Sequence, residues 1–235
     1  MTMMKIFLLA ASLLAATAAH AAPPDRMNLV YDLYRNGQRL GQVSDSFVRE
    51  GDRYTLVSET RAVGALQLFW PGNIRLESSG EMTPAGLRPT QFQHARSDAP
   101  HKRAVVRLDW ERGRIVWDYR GDIRQESGLE PGTQDQLSQL YQFMFVPKLP
   151  ENLSQQVISG KNMRLYRYAR SDGGALRVPA GEYATQLFER IRGPEDDKTV
   201  AVWVAPAHHN LPVQIRVTEG GATMEQRLVS VSPEK

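Results

Sequence analysis

The side chains able to do chemistry are few and scattered. Beyond the N-terminal segment the histidines are His94, His101, His208 and His209. A metal site would need them beside carboxylates at ligand spacing. His208-His209 stands in a turn with Pro206 and Asn210, where adjacent side chains diverge, and that turn carries no carboxylate. His94 and His101 flank a turn containing Pro100 and could meet across a hairpin with Asp98, though the reading without a metal is favoured there too. The sequence thus points to no metal ion and no cofactor. There is no Gly-x-Ser-x-Gly elbow, and no serine has a context that predicts a triad. The chain has 0 Cys, which removes thiol catalysis, disulfides, iron–sulfur clusters and cysteine-ligated zinc. Asp and Glu fall mostly in turns or on wet strand faces, with no spacing that suggests the paired carboxylates of a glycosidase. No catalytic constellation is visible, and the chain reads as non-enzymatic.

Aromatic residues are more suggestive. Trp70, Trp110, Trp117 and Trp203, with Tyr166, Tyr168 and Phe188, either pack a core or line an apolar or sugar-stacking cavity. A barrel of roughly eight or more strands has room for such a cavity. The segment Ala65-Leu66-Gln67-Leu68-Phe69-Trp70-Pro71 joins two strands yet is strongly apolar, unlike a surface loop. Either it folds inward as a plug or it forms an exposed lip for a membrane or partner. The plug is favoured, because soluble monomers rarely display such patches. Leu66, Leu68, Phe69, Trp70 and Trp203 are therefore the candidate ligand-contacting residues.

The elements that must position these residues are strands. Asn28 to Arg35 is extended, and Asn36-Gly37 is a two-residue hairpin signal, since both types tolerate positive φ. Gln38 to Arg49 follows, and Glu50-Gly51-Asp52 turns the chain into Arg53 to Ala62. Ile74 to Ser79 and Leu87 to Ala95 form another pair. In Arg103 to Trp110 the residues Ala104, Val106, Leu108 and Trp110 point one way while Arg107 and Asp109 point the other. Ile115, Trp117 and Tyr119 repeat this period of two, the mark of a strand with one dry face. From Asp135 to Val146 the pattern changes: Leu137, Leu140, Tyr141 and Met144 recur at helical spacing. Asp135 is placed to cap that helix with its carboxylate, and Pro147 closes it. One amphipathic helix of about three turns is expected near 135–146. Strands resume at Met163 to Arg170, Tyr183 to Arg192, Thr199 to Ala205, Leu211 to Glu219 and Ala222 to Val231, with Ser171 to Gly174 and Gly220-Gly221 among the spacers. Thr199 to Ala205 is apolar on both faces and should be covered on both sides.

About ten or more mostly antiparallel strands with one helix imply a mainly β fold, a single strongly curved sheet or a β-barrel. Closure, with the helix plugging or covering one opening, is the preferred arrangement, and a β-sandwich is the alternative. No repeat, low-complexity tract or linker divides the chain, so residues 22–235 read as a single domain.

Residues 1–21 read as an address. A positive start through Lys5, an apolar run from Ile6 to Ala16 and the site Ala19-His20-Ala21 make a cleavable secretory signal peptide. The run is too short to span a bilayer, which takes ~20 apolar residues, and no later run is long enough. Without cysteine the chain cannot be acylated as a bacterial lipoprotein. The expected location is the periplasm. The 29 Lys and Arg against 26 Asp and Glu are scattered in mixed pairs, without the clustered basic face of a nucleic-acid binder.

Val30-Tyr31-Asp32-Leu33-Tyr34 with Asn36-Gly37 and Leu40-Gly41 resembles the start of the family called domain of unknown function 3108. So does Asp135-Gln136-Leu137-Ser138-Gln139-Leu140-Tyr141. Near the end, Val202-Trp203-Val204-Ala205-Pro206 followed by Leu211-Pro212-Val213-Gln214-Ile215 resembles its most recognisable signature, with Gln214 where the family commonly has Arg. Arg216 stands two positions on, on the same face. The resemblance implies an exported bacterial envelope protein of antiparallel β structure. It carries over no catalytic residue, since the family has no established molecular function. The expectation is a non-enzymatic periplasmic β-barrel-like protein that binds an apolar or amphipathic envelope molecule such as a lipid. A structural protein that recognises another envelope protein is the alternative, and an envelope glycan or lipid enzyme comes third.

Overall fold

The computed structural model describes residues 23–65, 67, 72–193 and 197–232. Its first arm contains β1 (Arg26–Arg35), β2 (Gln38–Glu50), β3 (Arg53–Ala62), β4 (Ile74–Thr83), β5 (Gly86–Arg96), β6 (Ala104–Asp109), β7 (Arg114–Tyr119) and β8 (Asp122–Ser127). Its second contains β9 (Gln134–Asp135), the helical turn α1 (Ser138–Tyr141), β10 (Asn152–Ile158), β11 (Met163–Val178) and β12 (Gly181–Arg190). That arm ends with β13 (Thr199–Ala205), β14 (Leu211–Glu219) and β15 (Ala222–Ser232). All join one 15-stranded sheet in the order β8-β7-β6-β5-β4-β3-β2-β1-β15-β14-β13-β12-β11-β10-β9. Each arm is a meander of neighbours, and the arms meet where β1 pairs with β15.

Local chemistry explains most of these elements. Asn36 and Gly37 take φ of 49° and 83°, the left-handed pair that a two-residue hairpin needs. Strand faces alternate as their patterns predict. Met27, Leu29, Tyr31 and Leu33 of β1, and Val106 and Leu108 of β6, are buried on the concave side. In β13, Val200, Val202 and Val204 point inward, while the buried Ala201 and half-buried Trp203 lie on the other face, so the strand is covered on both sides. The ladder between β4 and β5 shifts register at Gly80, where a Cβ would come 2.2 Å from the Arg88 carbonyl oxygen. Glycine is the residue that fits there.

Five expectations are corrected. The sheet is strongly curved but does not close into a barrel: β8 and β9 are free edges. β9 has two residues and cannot support a ladder with the first arm, so side chains span the gap instead. Trp117 Nε1 donates to the Ser159 carbonyl at 3.1 Å, Arg124 to the Lys161 carbonyl at 2.7 Å, and Gln134 Nε2 to the Leu87 carbonyl at 2.8 Å. The helix is shorter than three turns: one α-turn is followed by a 3-10 turn at Gln142–Met144. Nor is it amphipathic. Leu137, Ser138, Gln139, Tyr141, Gln142, Phe143 and Met144 are all buried, because the concave sheet surrounds the segment. Ser171 to Gly174 is no spacer: β11 runs through it with a bulge between Asp172 and Gly174. β8, β9 and β10 lie where the sequence reading placed no strand.

Candidate functional site

Asp135 builds the inner site. Its Oδ1 accepts the N–H groups of Leu137 and Ser138, both at 2.8 Å, while Ser138 Oγ accepts the Asp135 N–H at 2.9 Å. This reciprocal box fixes the start of α1, as the sequence predicts. The other carboxylate oxygen accepts the Ser78 hydroxyl of β4 at 2.5 Å, and Ser78 in turn meets the Tyr54 hydroxyl at 2.9 Å. The helical turn is thereby tied to the first arm. Gln142 adds a second tie, accepting the Leu87 N–H at 2.7 Å and donating to the Ala85 carbonyl at 3.0 Å.

A second buried carboxylate, Asp45 of β2, sits on the same concave face between Val43 and Phe47. The Tyr141 hydroxyl donates to it, and Tyr31 donates to the Pro212 carbonyl at 2.8 Å beside it. Burial drives both carboxyls up to about 6, only partly offset by hydroxyl and N–H donors. Burial also raises Tyr31, Tyr54 and Tyr141 well above the usual phenol range. These acids are sealed inside the molecule and tie α1 to the sheet.

The accessible chemistry lies beside α1. A cleft of about 330 Å³ opens between the helical turn and the concave sheet. Its apolar wall includes Leu76, Leu140, Val157, Val200, Ile215 and Val217. Gln136, Gln139 and Gln226 supply amides, and Gln139 Oε1 is held by the Tyr168 hydroxyl at 3.0 Å. Ser159, Asn162, Arg164, Lys198 and Glu219 contribute a polar, charged set. The registers put this cleft at the end of the sheet where β3 finishes, β4 starts and β10 turns into β11. A wider hollow at the opposite end is lined in part by Met82, Phe145 and Asn210.

Of the sequence-predicted candidates, Leu66, Leu68, Phe69 and Trp70, with Pro71, lie outside the described residues. Their described flanks, Ala62 and Ile74, are at the cleft end of the sheet. Trp203 is not among the cleft-lining residues. It points the opposite way from Val202 and Val204, with the Arg216 guanidinium 4.9 Å over its ring. Arg216 shares that face with Gln214 and pairs with the nearly buried Glu225, which also pairs with Arg227. The other aromatics act mainly as anchors. Phe188 packs 4.3 Å from Phe143, Trp110 donates to the Pro89 carbonyl at 2.7 Å, and Tyr166 alone of the described members of the set also lines the cleft. His208 packs edge-on against Tyr183, and His209 turns away at φ 56°. His94 faces Leu76 across the ladder, its pKa lowered by burial and by the charges of Arg96 and Lys161. Among the described residues no group of three or more His, Cys, Asp or Glu could hold a metal ion.

Sequence reasoning missed Asp45, Ser78 and Arg164. Asp45 left one signal: an acid in phase with the apolar positions Val43 and Phe47. A lone carboxylate on a dry face requires partners from elsewhere.

A family model described as protein of unknown function (DUF3108) matches residues 30–227. No curated protein matches the chain. Among solved structures, the fold is similar to the crystal structure of a beta-barrel-like protein of domain of unknown function DUF1849 from Brucella abortus. The TM-score is 0.57 at 11% identity, over 92% of this chain and 100% of that one. At that identity the likeness is one of fold.

Proposed function

The chain belongs to the DUF3108 family of proteins of unknown function, and on that premise we propose that it is a non-enzymatic periplasmic protein that holds an apolar or amphipathic envelope molecule in the cleft beside α1. The carrying observation is the cleft itself: a concave space of about 330 Å³ that sets an apolar wall beside an equal share of polar side chains, with the Gln139 amide held in place by Tyr168. That volume is at the lower end of small-molecule sites, roughly 300–1,000 Å³. The wall strands β13 and β14 are buried mid-sheet, and α1 is pinned by Asp135, so the cavity is built before any ligand arrives.

The reading as a binder rather than a catalyst is supported by where the two buried acids stand. Asp45 and Asp135 are both spent on tying α1 to the sheet and present no face to the cleft. Export rests on the sequence of residues 1–21, and the segment's apolar run is of signal-peptide length. Among the described residues no helix is long and apolar enough to cross a membrane.

Native mass spectrometry of the protein purified gently from periplasm tests this reading. A reproducible bound mass, released on denaturation as an amphiphile, is expected. Val217→Trp fills the cleft and should abolish that mass while the protein remains folded by circular dichroism. Bare wild-type protein that also takes up no added amphiphile would overturn the proposal.

A further inference from the structure

The charges around the cleft are unevenly paired. Arg164 follows the β10–β11 turn and faces Val157 across the ladder, and both residues line the cleft. It alternates with the exposed Leu165 and shares its face with Tyr166 and Tyr168, so its side chain belongs to the concave side. Other arginines are tied to carboxylates: Arg75 to Glu59 and Glu77, Arg96 to Asp98, Arg216 and Arg227 to Glu225. Among the described residues Arg164 makes no ion pair. The cleft's acid, Glu219, is engaged by Lys198 at 3.4 Å. One positive charge therefore stands uncompensated beside an apolar wall.

The turn that carries it is firmly built. Ser159 Oγ lies 2.9 Å from Asn162 Oδ1 and accepts the Asn162 N–H at 3.1 Å, while the Ser159 N–H reaches the Asn162 carbonyl at 2.8 Å. Across the gap between the sheet edges, Trp117 and Arg124 grip the same turn. Lys161 adds a second cation there, its Nζ 4.8 Å over the Tyr119 ring. A guanidinium carried on a well-tied turn at the wet end of an apolar wall selects a ligand with two unlike parts. An anion would be desolvated at prohibitive cost against Val200 or Ile215, but it keeps its water and gains a forked donor at Arg164.

We infer that the cleft takes an amphiphile with an anionic head group, a carboxylate or a phosphate monoester, and that Arg164 is the residue that recognises the head. This rests on the binding reading above and names its ligand class. Calorimetric titration of the whole folded protein separates the two. The probes are laurate, dodecyl phosphate, the uncharged monolaurin, and inorganic phosphate as a head without a chain. Laurate and dodecyl phosphate should bind more tightly than monolaurin. Arg164→Gln should weaken both acids by about tenfold or more, the size of a charge-assisted hydrogen bond, and leave monolaurin unchanged. Arg164→Lys should recover part of the loss, because it restores charge without the fork. If monolaurin binds as well as laurate and Arg164→Gln alters neither, the head-group inference falls while the cleft remains a binding site. Inorganic phosphate competing at the same strength would also overturn it, making the site one for free anions. If no chain-bearing probe binds, both readings fail.

Discussion

Asp45 and Asp135 put charge where the surroundings are least able to solvate it, and this has a consequence for pH. Both carboxyls are raised from 3.8 to about 6 by burial. The folded state therefore holds protons that the unfolded chain has released, and stability falls as pH rises from about 4 through about 6. Each shift corresponds to on the order of 3 kcal/mol if the group acted alone. Surface acids such as Glu59, lowered chiefly by its hydrogen bond from Arg75, work in the opposite sense and at lower pH. Asp45→Asn keeps an acceptor for the Tyr141 hydroxyl and removes one of the two titrations. Urea midpoints measured at about pH 4, 5, 6 and 7 should decline less in this variant, which at pH 7 should be at least as stable as wild type. Parallel declines in the two proteins would show that Asp45 is ionised without cost. The position was half legible in the sequence: period two puts residue 45 inward, but only the structure supplies Tyr141 from a point ninety-six residues away.

At the scale of elements, α1 depends on a cap that does two jobs. Asp135→Ala frees two backbone N–H groups and also leaves Ser78 without its acceptor. A loss of about 2 kcal/mol or more is expected from the cap and the buried hydroxyl together. Asp135→Asn retains an acceptor for the N–H groups and should lose less. Equal stability of the two variants by denaturant unfolding would remove the cap from the argument. The capping role was readable because it is local, spanning four consecutive residues. The length of the helix was not. Leu137, Leu140, Tyr141 and Met144 have helical spacing, but the enclosing sheet buries the segment on nearly all sides and the chain tightens at Gln142. β8 escaped notice for the opposite reason. All six of its residues are exposed, so it has no dry face to impress a period on its sequence.

For the whole molecule, the decisive contact is β1 with β15. Every other ladder joins strands adjacent in the chain or, for β9 and β10, separated only by α1 and its loop. The β1–β15 ladder closes the longest loop and turns two meanders into one sheet. Leu228 faces Tyr31 across this seam and is fully buried, and its carbonyl accepts the Ala180 N–H at 3.0 Å. Leu228→Ala should cost about 2–5 kcal/mol. It should also slow refolding, since the core cluster around Leu228 draws residues from both arms and waits on this remote pairing. A full stability loss with an unchanged stopped-flow refolding rate would place the seam after the rate-limiting step.

By itself, the amino-acid sequence determined the β class, most strand positions, the Asn36-Gly37 hairpin and the Asp135 cap. These follow from backbone preferences and from alternation, which act over a few residues. The tertiary structure decided that the edges stay unpaired, that Asp45 and Ser78 meet the helical segment, and that Arg164 stands beside an apolar cleft. Those outcomes depend on curvature accumulated over 15 strands. Curvature brings together side chains whose separation along the chain erases any local trace of the contact.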